Sequence, residues 1–531
     1  MLTRKGFIRL GGSFALAGRG LPTLAADGAR PIGEMRRFSP NYWCTWESQG
    51  RMAAALGERR KTSAFAGDQG AYQTRDMLNS RILFKEPGWV SSMCADFRKD
   101  LFFVLDDGWD VPYGSGPETI DRFGFLEPWS ERFADCGKTA LERLTTICSR
   151  IRDAGWQGTG VWVAAQRQGD RAGAVLPGVE EFYRRKLELS ARAGVRYWKV
   201  DWGMRSNTNE FRCMISELAR EICPEMIIEH CPQNVCPLNG QAANPDGEEL
   251  LGSGRCEASA TDAELVERLR FTDVFRTYDI TPPFTTISTL DRAVAYSRII
   301  DAHRFGTRLN VEDDPVIAAV LGHAFGIMGS MRKVEDAADW LTYRRVTNWH
   351  RIAPPFGGRE GLVTRASDEA LFASRRFRKG EHWHQPTWDR VVKQGAPAVV
   401  ARGTELPMVT PRGDSRPYVL AGRNPSGAVS VGTLPRVRVD GTQETPPVEI
   451  TLAEPLEAGV PLAVFGSPAA VHVPVKGKVV RVLAADLADG VEREIAAPQS
   501  DGLIHLDEKI LREVCAAHPQ GILGVVFRLC V

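Results

Sequence analysis

The chain has 531 residues, 43% hydrophobic and 25% charged, with 67 Lys plus Arg against 66 Asp plus Glu. That length exceeds one ordinary core and predicts two or three domains, and the balance of apolar and charged residues is globular, not disordered. Near-neutrality offers no basic surface for nucleic acid, whose binding draws on phosphate neutralisation, so an uncharged or small substrate is the better match.

In chain order, Thr3-Arg4-Lys5-Gly6-Phe7-Ile8-Arg9 precedes an apolar, small-residue run at 10–18 and then Leu24-Ala25-Ala26. This is similar to a twin-arginine export signal with Lys5 in place of the second arginine; an ordinary secretory signal or a disordered leader are the alternatives. With cleavage near Ala25 or Ala26, residues 1–26 serve targeting and not the fold, and the mature protein is expected in the periplasm or outside the cell. No later stretch has the length and apolarity of a membrane span.

Residues 36–352 alternate strand-like and helix-like runs, the pattern of a parallel α/β structure. Strands are expected at 41–45, 101–105, 160–165, 196–201, 226–230, 274–278, 307–311 and 324–328. Between them, 139–154 places Leu141, Leu144, Ile147 and Ile151 three and four apart, an apolar helix face; 180–193 and 209–222 read likewise. Eight such units need about 250 residues, which predicts a (β/α)₈ barrel. The stretch 47–92 is long for one connection and is expected to form an inserted subdomain or lid.

Ala353-Pro354-Pro355-Phe356-Gly357-Gly358 ends a helix and opens a linker. Beyond it, short β-type runs at 417–422, 428–434, 448–452, 461–465, 478–484 and 524–529 predict a C-terminal antiparallel β-sandwich over 360–531. The eleven cysteines are an odd number, so at least one is unpaired or pairs outside the chain. Cys231 and Cys236 are a near pair, without the second half of a zinc site. His382 and His384 flank Trp383 and read as a surface strand.

The chemistry concentrates at strand ends. In Tyr197-Trp198-Lys199-Val200-Asp201-Trp202, alternation puts Lys199 and Asp201 on one side. A lysine so placed favours an ionised carboxylate, which at the C-terminal end of a barrel strand is a competent nucleophile; a buried structural pair is the alternative. Leu105-Asp106-Asp107-Gly108-Trp109 suits a polyol, with carboxylates accepting from hydroxyls and an indole on the apolar sugar face, or else is a turn. In Phe275-Arg276-Thr277-Tyr278-Asp279, Asp279 is the candidate general acid, its proton retained by desolvation near another carboxylate, and Arg276 can bind a hydroxyl; an Arg–Asp structural pair competes. Trp43 and Trp46 are candidates for an aromatic wall, and Glu229 with His230 for reading a ring hydroxyl or for core pairing. Trp162 and Gln166 are weaker candidates. Glu312, Asp313 and Asp314 are acidic enough for a metal but lack other placed ligands, so a solvated loop or helix N-cap is expected.

In this order, Trp43-x-x-Trp46, Asp106-Asp107-Gly108-Trp109, Lys199-Val200-Asp201 and Arg276 with Asp279 resemble glycoside hydrolase clan D, the α-galactosidase-like barrels of families 27 and 36, over roughly residues 38–350. The resemblance implies a retaining exo-α-glycosidase acting on α-galactosides, whether oligosaccharide or polysaccharide, with no metal or organic cofactor. Asp201 is then the nucleophile and Asp279 the acid/base. Trp43, Trp46, Asp106, Asp107, Trp109, Lys199, Glu229, His230 and Arg276 are then the substrate-binding set. The chain departs from the family in spacing: Asp279 follows Arg276 by three residues where the family has four. Another sugar, such as α-N-acetylgalactosamine, β-L-arabinopyranose or α-glucose, and a non-catalytic carbohydrate-binding barrel remain open at this point.

Overall fold

The structure, a computed structural model, describes residues 39–55, 74–85, 87–171, 173–206, 208–232, 262–277, 285–328, 337–377 and 390–530. Residues 1–26, Asp279, Cys236, His382 and His384 therefore lie outside the described residues.

Eight parallel strands make one sheet: β1 (Tyr42–Cys44), β2 (Phe102–Leu105), β3 (Gly158–Val163), β4 (Val195–Val200), β5 (Ile227–His230), β6 (Val274–Arg276), β7 (Arg308–Asn310) and β8 (Gly326–Ile327). Their order runs β7-β6-β5-β4-β3-β2-β1-β8. A parallel bridge between Asn310 and Ala324 brings the two ends together. Each expected strand is present, most of them shortened by a residue or two at the ends, where ladder hydrogen bonds give out.

Alternation sorts the side chains. Tyr42, Cys44, Phe102, Val104, Tyr197, Ile227, Val274 and Ala324 fill the barrel interior as one cluster. Their neighbours Trp43, Phe103, Trp198, Ile228, Phe275 and Leu309 belong to the larger core shared with the helices. The interior is tight enough that a Cβ on Gly326 would lie 2.6 Å from the Tyr42 ring, so the two-residue β8 makes room for a tyrosine on β1.

The helices that cover the barrel include α1 (Trp46–Ala55), α2 (Ala140–Asp153), α3 (Val179–Ala193), α4 (Asn209–Ile222), α5 (Asp262–Phe271), α6 (Thr285–Ala302), α7 (Pro315–Leu321) and α8 (Ala337–Ile352). In α2 the start is a capping box: Thr139 Oγ1 accepts from Glu142 N at 3.2 Å and Glu142 Oε2 from Thr139 N at 3.0 Å, a device worth about 1 kcal/mol. Its buried face is Leu144, Ile147 and Ile151, each worth roughly 1.5–3 kcal/mol on burial. The described part of the long β1–β2 connection packs on the barrel wall, with Leu78, Leu83, Trp89 and Val90 buried. Among the described residues no helix is long and apolar enough to cross a membrane.

After α8 the chain is sheet-rich. An eight-stranded sheet runs, edge to edge, through Arg493–Ile495, Arg481–Asp486, Gly524–Cys530, Leu462–Phe465, Val429–Leu434, Tyr418–Arg423, Val399–Arg402 and Thr364–Ala366. A five-stranded sheet contains Met408–Pro411, Val448–Thr451, Ala470–Pro474, Leu503–Asp507 and Gln499–Ser500. Most neighbours are antiparallel, but Val399–Arg402 with Tyr418–Arg423, Val429–Leu434 with Leu462–Phe465, and Val448–Thr451 with Ala470–Pro474 run parallel. Run lengths and turn residues reveal strands but not their partners, so these parallel pairings had no sequence signal. The described cysteines are free thiols, Cys231 among them.

Candidate active site

The C-terminal ends of the strands hold a buried polar network. Lys199 on β4 and Asp201, just past its end, are two residues apart and share the inner face. Lys199 Nζ lies 2.9 Å from Asp106 Oδ2, at the end of β2, and 3.3 Å from Glu312 Oε1, just beyond β7. Cys44 on β1 donates its thiol to the same Asp106 oxygen at 2.8 Å. Burial acts to raise the Asp106 pKa, but the Lys199 charge and the hydrogen bonds from Cys44 and Asp107 N outweigh it and hold the carboxyl below its ordinary range. For Lys199, burial acts to lower the pKa, and Asp106, Cys44 and Glu312 carry it well above the usual lysine value. The pair is therefore ionised across the physiological range.

Glu312 is the hub on the opposite wall. It is 1% exposed, it accepts from Tyr42 Oη at 2.5 Å, and its Oε2 lies 3.0 Å from Arg276 Nη1. This corrects the expectation of a solvated loop. The period of two that points Asn310 inward continues past the end of β7 and points Glu312 inward as well, where two cations meet it. Asp314 does occupy the N-cap position of α7, but its side chain makes no capping hydrogen bond. Among the described residues no three His, Cys, Asp or Glu side chains converge as a metal-binding group.

Asp201 sits above this floor. Its Oδ2 accepts from Trp162 Nε1 at 3.3 Å and lies 4.0 Å from Arg276 Nη1. Its Oδ1 is buried with no hydrogen-bond partner among the described residues. A carboxylate fixed through one oxygen while the other stays open is poised to accept a hydrogen bond or to attack an electrophile.

Glu229 lies inward at the end of β5 and accepts from Asn310 Nδ2 at 2.6 Å. Burial, reinforced by Glu312 and opposed by Lys199 and Arg276, pushes it up to about 7. Its neighbour His230 points the other way, into the helix layer, between Arg212 Nη1 at 3.1 Å and Ser216 Oγ at 2.9 Å. Burial and then the Arg212 charge keep His230 neutral, well below the usual histidine value. Adjacent strand residues face opposite sides, so only one member of this expected pair can reach the mouth.

The same parity removes Trp43, which packs outside β1 against Trp89, Phe103 and Trp156. Trp109 is 1% exposed, and its Nε1 donates to Trp162 O at 2.8 Å. It supports the site from behind and forms no wall of it. Trp46 and Trp202 stand nearer the opening, Trp46 against the interior cluster and Trp202 against Trp162 at 5.5 Å between rings. Gln166 Nε2 is spent on Ile120 O at 2.7 Å.

Asp107 turns from the Asp106 network toward the long β1–β2 connection, where Arg75 Nε meets its Oδ2 at 2.8 Å. Tyr42, Asn310 and Glu312 were readable in principle from alternation along β1 and β7. Arg75 carried no local signal.

No protein-family model matches the chain, and no curated protein matches it. Among solved structures it is similar to α-galactosidase I from Mortierella vinacea, at 9% identity over 94% of this chain and 100% of that chain, with a TM-score of 0.42. It is also similar to the α-galactosidase MEL1 from Saccharomyces cerevisiae, at 9% identity over 93% and 98%, with a TM-score of 0.41. A third similarity is to a GH27 β-L-arabinopyranosidase from Geobacillus stearothermophilus, at 11% identity over 83% and 91%, with a TM-score of 0.39.

Proposed function

We propose that the protein is a retaining exo-α-glycosidase that removes terminal α-galactosyl groups from a carbohydrate, with Asp201 as nucleophile and Asp279 as acid/base. The observation that carries this reading is the Asp201 carboxylate: it stands at the C-terminal end of a barrel strand, with the Arg276 guanidinium 4.0 Å away and one buried oxygen unpartnered among the described residues. That is where catalytic groups sit in this fold.

Asp201 attacks the anomeric carbon, and the bond to the departing oxygen breaks with its electron pair going to that oxygen, which takes the Asp279 proton. Water then adds to the anomeric carbon, gives a proton back to Asp279, and frees the Asp201 carboxylate. Retention of configuration requires the two carboxyls to stand about 5–5.5 Å apart. Lys199, Asp106, Glu312 and Arg276 keep their charges paired with one another, so the pocket can order sugar hydroxyls without a large net field. The leader read at residues 1–26 adds export to the proposal.

The test is hydrolysis of a panel of aryl α-glycosides by wild type and Asp201→Asn, with the first-formed anomer followed by NMR. The expected result is release from the α-galactoside with retention, reduced roughly 10⁴-fold or more in the variant. Release from another glycoside replaces the sugar and keeps the mechanism. Inversion, or full activity in Asp201→Asn, overturns the mechanism, and sugar binding without turnover selects a binding role.

A further inference from the structure

The second carboxylate after β2 is held by a residue from outside the strand ends. Arg75 pairs with Asp107 Oδ2, and its guanidinium lies 4.7 Å over the Phe123 ring and 5.6 Å over the Trp202 ring, beside Asp201. Its backbone is clamped as well. Arg132 Nη1 donates to Arg75 O at 2.9 Å and Gln49 Nε2 bridges Thr74 O at 3.1 Å and Asp107 O at 2.9 Å. Gly108, at φ +118°, lets the two segments touch: a Cβ there would lie 2.6 Å from Arg75 O. Arginine and carboxylate are thus both placed before any ligand arrives.

Asp107 keeps its other oxygen, Oδ1, buried and unpartnered among the described residues. A buried acceptor left open is costly unless a ligand donor fills it. We propose that Arg75, supplied by the β1–β2 connection, is a positioning residue that keeps Asp107 an ionised acceptor, its free Oδ1 receiving a sugar hydroxyl of the substrate. This rests on the glycosidase reading and extends it to a contact that the connection, not the barrel, controls.

The surroundings make the dependence strong. Asp107 faces Asp106 beside it, Asp201 from β4 and Asp110 from the following loop, with Arg75 and Arg132 as the cations. Burial pushes its carboxyl up to about 6, with Arg75 opposing and Asp106 and Asp201 adding. With Arg75 gone, the carboxyl rises further toward neutral pH and holds its proton over more of the acid range, turning an acceptor into a donor there.

The experiment measures kcat and KM from pH 5 to 9 for wild type, Arg75→Met, Arg75→Lys, Asp107→Asn and the Arg75→Met/Asp107→Asn double variant, on the best aryl α-glycoside of the panel. Methionine keeps the packed stem, and thermal unfolding verifies that each variant folds. In wild type the acid limb of kcat/KM, which reports the free enzyme, is expected near pH 6. Arg75→Met should move that limb up by about one pH unit and lower kcat/KM roughly fivefold at pH 6 and roughly tenfold at pH 5, mainly through KM. Arg75→Lys should restore part of the shift. Glu229 titrates nearby in pH, but only the Asp107 limb should vanish in Asp107→Asn, and in that background Arg75→Met should cost nothing more. A limb unmoved in Arg75→Met, or a loss that persists in the Asp107→Asn background, overturns the inference while leaving the glycosidase reading intact. If Arg75→Met does not fold, Arg75→Lys against Asp107→Asn decides by the same limb. A wild type with no turnover and no galactose-induced change in tryptophan fluorescence overturns both.

Discussion

Two sets of buried ion pairs, one at the barrel mouth and one at the seam between the barrel and the C-terminal sheets, use the same residue types to opposite ends. At the seam, Arg345 on α8 grips both oxygens of Asp486 at 2.8 and 2.9 Å and donates to the carbonyls of His518, Gln520 and Ile522. Arg402 binds both oxygens of Asp301 at 2.9 and 3.3 Å, and Thr364 Oγ1 adds a bond at 2.7 Å. No polar side-chain atom of those four ionic residues lacks a partner. At the mouth, Asp107 and Asp201 each keep one oxygen open. Saturation is what separates the two: a closed network has nothing left to offer a ligand, and an open one carries a desolvation cost that a ligand can relieve.

The contrast breaks most visibly if a seam pair is cut. Asp486→Ala leaves the Arg345 charge unpaired in a buried interface and should destabilise the protein by about 3–5 kcal/mol, read as a lowered denaturation midpoint. Asp201→Asn should leave that midpoint unchanged or raise it while activity disappears, because removing an open charge relieves strain. Equal midpoints for Asp486→Ala and wild type would erase the distinction.

A smaller effect sharpens it through pH. Glu229 has an ordinary value of 4.5 and sits at about 7 when folded. Because the folded pKa is raised, its stabilising contribution is full below about 4.5 and is lost as pH rises through about 7, at most about 3 kcal/mol. Glu229→Gln should flatten thermal midpoints across that window, and an unchanged slope would place the linkage elsewhere. Smallest of all is the exposed pair Arg185–Glu181, at 3.0 Å with both side chains 61% exposed. Glu181→Ala should shift stability by less than about 0.5 kcal/mol, which a denaturant midpoint can verify. A larger loss would mean that proximity, not saturation and burial, sets the value of a pair.

The chain itself determined the strand positions, the helical faces and the side on which Lys199 and Asp201 lie, because alternation by two and stripes at three and four are properties of local backbone geometry. The same rule separates Glu229 from His230 and Cys44 from Trp43, and it points Glu312 inward beside Asn310, so those placements were legible wherever parity was followed to the strand end. Asp279 is read from sequence alone, since it lies outside the described residues. Only tertiary structure decided that Glu312 meets Lys199 and Arg276, that Arg75 meets Asp107 and that Arg345 meets Asp486, across sequence separations of 113, 36, 32 and 141 residues. Such contacts are set by how the sheet curls shut and where connections fold back over it, and no local pattern in the sequence records which distant charge will arrive.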